Sequence, residues 1–282
     1  MHPNLGHFRV ILYLSVSSPW RAREKPGREI GTSLSHRARA TKKKEDMEPS
    51  SEEVNTNEWM QPYFAPNVQS EIFRWWGWVG RDLITRQFPG GAGESVNALE
   101  FGCGEAANVN FFREQGLQSF GVDLNPESLA VGLERWPSLD GRLSAIPFEC
   151  DELPFGDTKF HVITARHVLH FLTPLVFQRT LSVIRNRMLD GGVLFITFMK
   201  SGGFYFNNSQ PLDNGMRRVT FNNGRFERNV DVWFVNDEDE LRSRFPGFTL
   251  HELGEQKDYF TRAESPGDTY FCATLIADEH RE

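Results

Sequence analysis

The stretch ALEFGCGEAANVNFF, residues 98–112, is the feature that most limits what this chain can fold into. A short apolar run, VNALEF, reads as a buried strand; it enters Gly102-Cys103-Gly104, and a helical pattern begins within about four residues. Such a passage demands a tight backbone, and a side chain at Gly102 or Gly104 would block anything approaching the turn. The amides that open the following helix can then donate to an electron-rich group. Gly102-Cys103-Gly104-Glu105-Ala106-Ala107 also satisfies G-x-G-x-x-A, a dinucleotide-binding pattern. The turn therefore poses a choice between a pyrophosphate-bearing cofactor and another nucleoside.

The same strand-to-helix alternation recurs along the chain. NVQSEIFRWWGWVGRDLITRQF places Ile72, Trp75, Trp76, Val79, Leu83 and Phe88 at mixed three- and four-residue spacings, which predicts an amphipathic helix ended by Pro89-Gly90-Gly91. SFGVD reads as the second strand and PESLAVGLERW as the second helix, with Pro126 in its first turn. LSAIPFECD is strand-like, though weakened by Pro147, and FHVITARHV is a fourth strand. PLVFQRTLSVIRNRML is a helix stopped by Asp190-Gly191-Gly192, and VLFITFM is the fifth strand. The segment at about 200–235, rich in Gly, Asn and aromatics, reads as an insertion or lid. NDEDELRSRF is a short helix with acids at its start, and FTLHELGEQKDY with DTYFCATLIAD forms a terminal strand pair. The pattern predicts an α/β, doubly wound, Rossmann-like and mostly parallel sheet, with its ligand crevice at the carboxyl ends of the strands.

Composition narrows the partners. Residues 1–44 hold ten Lys/Arg against two acids, a local +8 that leaves −15 on residues 45–282 for a total of −7. So acidic a body repels a phosphate backbone and argues against a nucleic-acid substrate. No apolar run approaches the roughly 20 residues that span a bilayer. Cys103, Cys150 and Cys272 lack Cys-x-x-Cys spacing, which predicts a reducing compartment, no disulfide framework and no metal site. Residues 1–46, Arg- and Ser-rich with one short apolar run, read as a disordered basic extension ahead of a domain at 47–282. The expected location is cytoplasmic. An organellar location is the alternative, because that extension fits a transit peptide better than a secretory signal; sequence lying upstream of a start at Met47 is the other reading.

The placement of acids decides between the cofactors. Asp123 ends the second strand about 20 residues past the turn, where it can accept from ribose hydroxyls in either case. Glu100, two residues before Gly102, would repel a pyrophosphate and welcome a positively charged α-amino group. Asp151 and Glu152, after the third strand, suit the exocyclic amine of adenine. Together these describe a cationic nucleoside without phosphates: S-adenosylmethionine.

LEFGCGEA, FGVDLNPESL, CDELPFGDTKFHVITARHVLHFL and LDGGVLFITF resemble, in order, the signature motifs of the class I S-adenosylmethionine-dependent methyltransferases, over about residues 67–280. EDELRSRFPGFTLHEL followed by YFCATLIADE is similar to the end of the small-molecule group that contains the tellurite-resistance methyltransferases, and LPFGDTKFHVI is similar to the ubiquinone-biosynthesis type. The resemblance implies a seven-stranded sheet with an antiparallel last strand. It also implies contacts from Glu100, Phe101, Gly102 and Gly104 to the methionine part and from Asp123 and Leu124 to ribose and adenine. Asp151 and Glu152 would hold the base, and Arg166 would line the floor. The sequence departs from the family at Ala106, where many members have a third glycine, and at His161, where an acid is usual.

The expected activity is methyl transfer to a small-molecule acceptor, with the methylated atom left open among S, O, N and C. The candidates for taking or orienting an acceptor proton are His167 and His170, at the end of the fourth strand; for both, a structural hydrogen bond is the competing reading. Cys103 reads as a packing residue. Asp123 as a helix cap, and Asp151 and Glu152 as a solvated turn, are the plainer readings of those acids. The aromatics Trp59, Tyr63, Phe64, Phe204, Tyr205, Phe206, Trp233 and Phe234 suggest an apolar cover over the acceptor. No Asn-Pro-Pro-Tyr-type motif follows the fourth strand, which argues against base methylation in nucleic acids. A catalytically silent cofactor-binding scaffold and a nicotinamide oxidoreductase stand as alternatives.

Overall fold

The computed structural model describes residues 11–12, 71–89, 95–147, 150–222, 227–258 and 268–279. Trp59, Tyr63, Phe64 and nearly all of the basic extension lie outside these residues. The strands are β1 (Asn97–Phe101), β2 (Gln118–Asp123), β3 (Leu143–Ala145), β4 (Phe160–Ala165), β5 (Met188–Met199), β6 (Gln210–Pro211), β7 (Arg217–Asn222), β8 (Glu227–Val232), β9 (Phe248–Asp258) and β10 (Asp268–Ala277). The helices are α1 (Glu71–Trp75), α2 (Arg81–Gln87), α3 (Ala107–Glu114), α4 (Pro126–Arg135), α5 (Pro174–Arg187), α6 (Phe204–Asn207) and α7 (Glu238–Ser243). In the main sheet the strand order is β9-β10-β5-β4-β1-β2-β3, and Ile11–Leu12 adds a two-residue parallel pairing at the outer edge of β9. β1 to β5 pair in parallel, while β10 is antiparallel to both β5 and β9. The expected seven-stranded sheet with a reversed last strand is thus present.

Period-two alternation in the strands sets the layers. Leu99, Phe101, Ile163, Leu194 and Ile196 point to one face and pack with Phe177, Leu181 and Ile184 of α5 and Leu241 of α7. Ala98, Val162, Val193 and Phe195 point to the other, against Ile72, Trp75, Trp76, Leu83, Ile84 and Phe112. Polar residues that follow the same alternation near the carboxyl ends are therefore carried into the interior.

The first helix contains a departure from regular geometry. α1 passes through a π-helical turn, Trp76–Gly80, into α2. Trp75 and Trp76 are neighbours in sequence yet both are buried, whereas a regular α-helix turns successive side chains about 100° apart. The widened turn accommodates both rings, and Gly80 leaves them room: a Cβ there would meet Trp75 and Trp76 ring atoms at 2.9–3.0 Å. Trp75 is further fixed by donating from Nε1 to Thr274 Oγ1 at 2.9 Å.

Three expectations about elements need correction. β3 stops at Ala145, two residues before Pro147, which has no amide to extend a ladder. β5 begins at Met188, directly after α5; the chain absorbs Asp190-Gly191-Gly192 within the strand, through a positive φ of 74° at Gly191 and a register break between Phe160 and Val162. Within the segment at about 200–235, α6 leads into an antiparallel sheet of β6, β7 and β8. Val219, Val230 and Val232 bury one side of that small sheet against Met199 and Phe234.

α4 lies close on the glycine turn. A Cβ on Gly132 would come within 2.8 Å of the Glu105 carbonyl oxygen and 3.4 Å of Ala106 Cβ. Alanine is favoured over glycine in a helix interior by about 0.8–1.0 kcal/mol, but here the obstacle is backbone. Gly132→Ala is expected to lower stability by about 1–3 kcal/mol, read from the urea midpoint. A raised midpoint would show that α4 can move off the turn at little cost.

Candidate functional site

The carboxyl ends of β1, β2, β4 and β5 bring most of the expected residues together. Glu100 shares a face with Ala98 and is 2% exposed. Its Oε1 accepts from Asn108 Nδ2 on α3, while Oε2 has no partner. Asn108 Oδ1 and Thr164 Oγ1 also lack partners, and Thr164 stands opposite Glu100 in the β1–β4 register. Burial, working against the bond from Asn108 and the charge of Arg166, pushes the Glu100 carboxyl up to about 8. An unmade bond at a buried polar atom costs about 1–3 kcal/mol, so three together mark a place suited to a ligand with donors. Asn108 Oδ1 is a pure acceptor, and Glu100 Oε2 becomes one when the carboxyl gives up its proton, which matches a cationic amino group and not a phosphate.

Gly102 makes the turn possible for a reason beyond its φ of 76°: a Cβ there would lie 2.1 Å from Val168 Cγ2. Its amide and that of Cys103 donate to Val122 O at 2.8 and 2.9 Å, tying the turn to β2. Gly104, at φ 52°, donates its amide to Asp123 Oδ2 at 2.7 Å, and Asn125 N donates to Asp123 Oδ1 at 2.8 Å. Asp123 therefore braces the glycine turn; the cap of α4 is Asn125, whose Oδ1 accepts from Glu127 N and Ser128 N. Burial raises the Asp123 carboxyl against the pull of those two amides.

The remaining residues of the turn are placed as follows. Ala106 takes φ 61°, a left-handed conformation that costs an L-residue about 1–2 kcal/mol and explains a preference for glycine there. Phe101 buries its side chain in the core, leaving its backbone to face the mouth. Cys103 packs with Ala106, Val109, Leu129 and Leu139. Leu124 is half-buried, and Asp151 and Glu152 are exposed in the turn region after β3. His161 is structural: its Nδ1 accepts from Asn97 N at 3.1 Å.

After β4 the chain carries a partly buried ion pair. Arg166 Nε binds Glu71 Oε2, and Gln256 Nε2 donates to Glu71 Oε1 at 2.6 Å. Burial opposes the Glu71 charge, yet the Arg166 guanidinium overcomes it and holds the carboxyl at about 2. Nothing in the sequence connects Glu71 to Arg166, and Thr164, Thr197, Asn108 and Tyr270 were equally unmarked. His167, at φ 52°, donates its backbone amide to Thr197 Oγ1, and its ring stands edge-on to Tyr270 at 4.6 Å. Burial and then the Arg166 charge hold the His167 imidazole well below its usual range. His170 is 1% exposed among Phe171, Phe198 and Tyr270, with Nδ1 unpartnered. Burial takes it down to about 3.

The expected aromatic cover divides in two. Tyr205, Phe206 and Phe234 join Phe171 and Tyr270 beside the small sheet. Trp233 turns instead to Phe177 and Phe198, under the Arg244 guanidinium at 3.5 Å, while its amide donates to His170 O at 2.7 Å. Phe204 is exposed.

A buried neutral histidine links stability to pH. The unfolded chain takes up a proton at His170 below about 6.5 and the folded protein does so only near 3, so stability is complete above 6.5 and falls with acid. The loss due to His170 is expected to reach about 2 kcal/mol at pH 5. In His170→Leu the fall in thermal midpoint between pH 7 and 5 should shrink, leaving the share due to His167 and the opposing share of Glu100, whose raised carboxyl gains stability as pH falls. An unchanged pH dependence would show that His170 titrates normally.

Residues 99–194 match the family model described as a methyltransferase domain. No curated protein matches the sequence. Among solved structures, the chain is similar to an S-adenosylmethionine-dependent methyltransferase of Methanosarcina mazei at 14% identity and TM-score 0.53, covering 66% of this chain and 94% of that one. It is also similar to the PH0226 protein of Pyrococcus horikoshii at 14% identity and TM-score 0.50, covering 76% and 94%. At these identities the likeness is one of fold.

Proposed function

We propose that this chain, whose central part is a methyltransferase domain in the class I S-adenosylmethionine-dependent fold, transfers a methyl group to a small-molecule acceptor. The observation that carries the reading is the buried Glu100 carboxyl, with Oε2 unpartnered beside the orphaned Asn108 Oδ1 and Thr164 Oγ1. Once Glu100 has given up its proton, a cationic amino group supplies the missing donors, whereas a pyrophosphate would add acceptors to acceptors. Glu100, Phe101, Gly102 and Gly104 would hold the methionine part. Asp123 and Leu124 would hold the ribose and adenine, with Asp151 and Glu152 at the base and Arg166, fixed by Glu71, along the floor. Bound there, S-adenosylmethionine supplies an already electrophilic methyl group, so the protein's share of the work is alignment and exclusion of water.

The acceptor side of the reading rests on the residues around His167, His170 and Tyr270 and on the aromatic group of the small sheet. The charge of −15 on residues 45–282 supports a small acceptor over nucleic acid. Among the described residues no helix is long and apolar enough to cross a membrane. Residues 47–282 would carry the activity, so a chain begun at Met47 should keep its cofactor affinity; a large loss would assign the preceding segment a part in the site.

Calorimetric titration with S-adenosylmethionine, S-adenosylhomocysteine and NAD tests the cofactor, with binding of the first two and not the third expected. Gly104→Val should abolish that binding in a protein that remains folded. The pH dependence is a sharper test. Between about pH 6 and 7 the ligand amine is protonated and Glu100 in the free protein holds its proton, which must leave for an ion pair to form. Affinity should therefore rise with pH, by up to about tenfold per unit, and Glu100→Gln should bind weakly with a flat profile. A flat profile in the unaltered protein would remove Glu100 from the amino subsite. Methyl transfer to some member of a metabolite library separates an enzyme from a binding scaffold.

A further inference from the structure

Thr197, on β5, is fully buried, and its hydroxyl meets two atoms of a single residue. The His167 backbone amide donates to Oγ1 at 2.8 Å, and His167 Nδ1 lies 3.3 Å from the same oxygen. Residue 167 has a left-handed φ of 52°, and in this conformation its amide and its ring nitrogen converge on one hydroxyl. A threonine hydroxyl has one proton and two lone pairs. The amide occupies one lone pair. Among the described residues, the acceptor the structure offers that proton is Nδ1.

Two tautomers of a neutral imidazole then compete. With its proton on Nδ1, the ring would donate into Oγ1, and the hydroxyl proton would be left without an acceptor in a fully buried position. With its proton on Nε2, the ring accepts from the hydroxyl and every group at the contact is satisfied. The surroundings keep the ring from holding both protons: burial and then the Arg166 charge oppose the second proton, Glu71 is committed to Arg166 and Gln256, and Tyr270 packs in an edge contact at 4.6 Å. The residue nonetheless stays partly accessible to solvent.

We infer that Thr197 is a positioning residue whose hydroxyl holds His167 in the tautomer protonated on Nε2, so that His167 meets an acceptor as a hydrogen-bond donor and not as the base that takes its proton. The inference rests on the proposed methyl transfer only for the word acceptor; the tautomer is a property of the free protein. It also selects a chemical class. An acceptor that must lose a proton finds no available lone pair on this imidazole, whereas one that enters as an anion, such as a thiolate, finds a donor to hold it. S-adenosylmethionine contacts are not involved.

Long-range proton–nitrogen NMR spectra of the full chain read the tautomer without ligand or turnover, with the His167 resonances assigned by their loss in His167→Gln. The expected spectrum shows protonated Nε2 and bare Nδ1, unchanged from about pH 6 to 8. Thr197→Val should yield a mixture of both tautomers, and Thr197→Ser should restore the single form. Protonated Nδ1 in the unaltered protein overturns the inference, as does a Thr197→Val spectrum identical to it. Should Thr197→Val fail to fold, the unaltered protein and Thr197→Ser still decide the matter. A protein with the expected spectrum that transfers no methyl group would overturn the proposed function and leave the tautomer assignment standing.

Discussion

The close approach of Gly102 to Val168 is the constraint on which the rest of the site depends. Because a methyl group at Gly102 would fall 2.1 Å from Val168 Cγ2, the turn after β1 touches the segment after β4 with nothing between them. That contact joins the stretch that carries Glu100 and Gly104 to the one that carries Arg166, His167 and His170, although the two lie far apart in sequence. It also concentrates backbone strain at the mouth. Ala106 and His167 are the non-glycine residues of positive φ among those described, and they sit on opposite sides of this contact. Each is held by hydrogen bonds next to it: Asp123 braces the turn through Gly104 and Asn125, and Thr197 holds the His167 amide.

Burial then decides which groups carry charge. Glu71 and Arg166 survive as ions because each neutralises the other and Gln256 satisfies a remaining carboxylate oxygen. Glu100 has no cation bonded to it, and burial outweighs the Asn108 bond and the Arg166 charge, so it gives up its charge in the free protein. His167 and His170 also stay neutral, for the same reason. The mouth thus contains one satisfied ion pair and several uncharged polar groups, among them the Asn108 Oδ1 acceptor and a Glu100 carboxyl that becomes acceptor-only when its proton leaves. A site built this way gains a strong interaction when a cation enters and has little to offer a phosphate.

The small sheet contributes through its ends more than its middle. Its strands bury valines against Met199 and Phe234, while the returning chain ties Trp233 N to His170 O and Val235 N to Met199 O. On the opposite edge, Tyr205 N donates to Asp268 Oδ1 at 2.9 Å, at the start of β10. The insertion is therefore fastened to the 3-10 turn that carries His170 and to β10, which carries Tyr270, and its packing bears on their positions.

What the sequence determined by itself was local and periodic. VNALEF, the glycine pair and the following helix prescribe a strand, a tight turn and a helix start, since neighbouring residues alone satisfy those geometries. The order of such units was enough for a mostly parallel, doubly wound sheet, while its seven strands and reversed last strand were expected from the resemblance of the motifs to the class I methyltransferases. Periodicity was a weaker guide where short-range chemistry competed with tertiary packing: adjacent Trp75 and Trp76 demanded a π-helical turn, Asp190-Gly191-Gly192 was drawn into β5, and the ladder of β7 and β8 was masked by charged residues such as Arg217 and Arg218. Only the tertiary structure decided the partners. Glu71 meets Arg166, Asn108 meets Glu100, and Thr197 meets His167 because the sheet order stacks β1, β4 and β5 side by side under α1 and α3. A side chain's protonation depends on what surrounds it in space, so neither the neutral Glu100 nor the neutral histidines could be read from residue type and spacing.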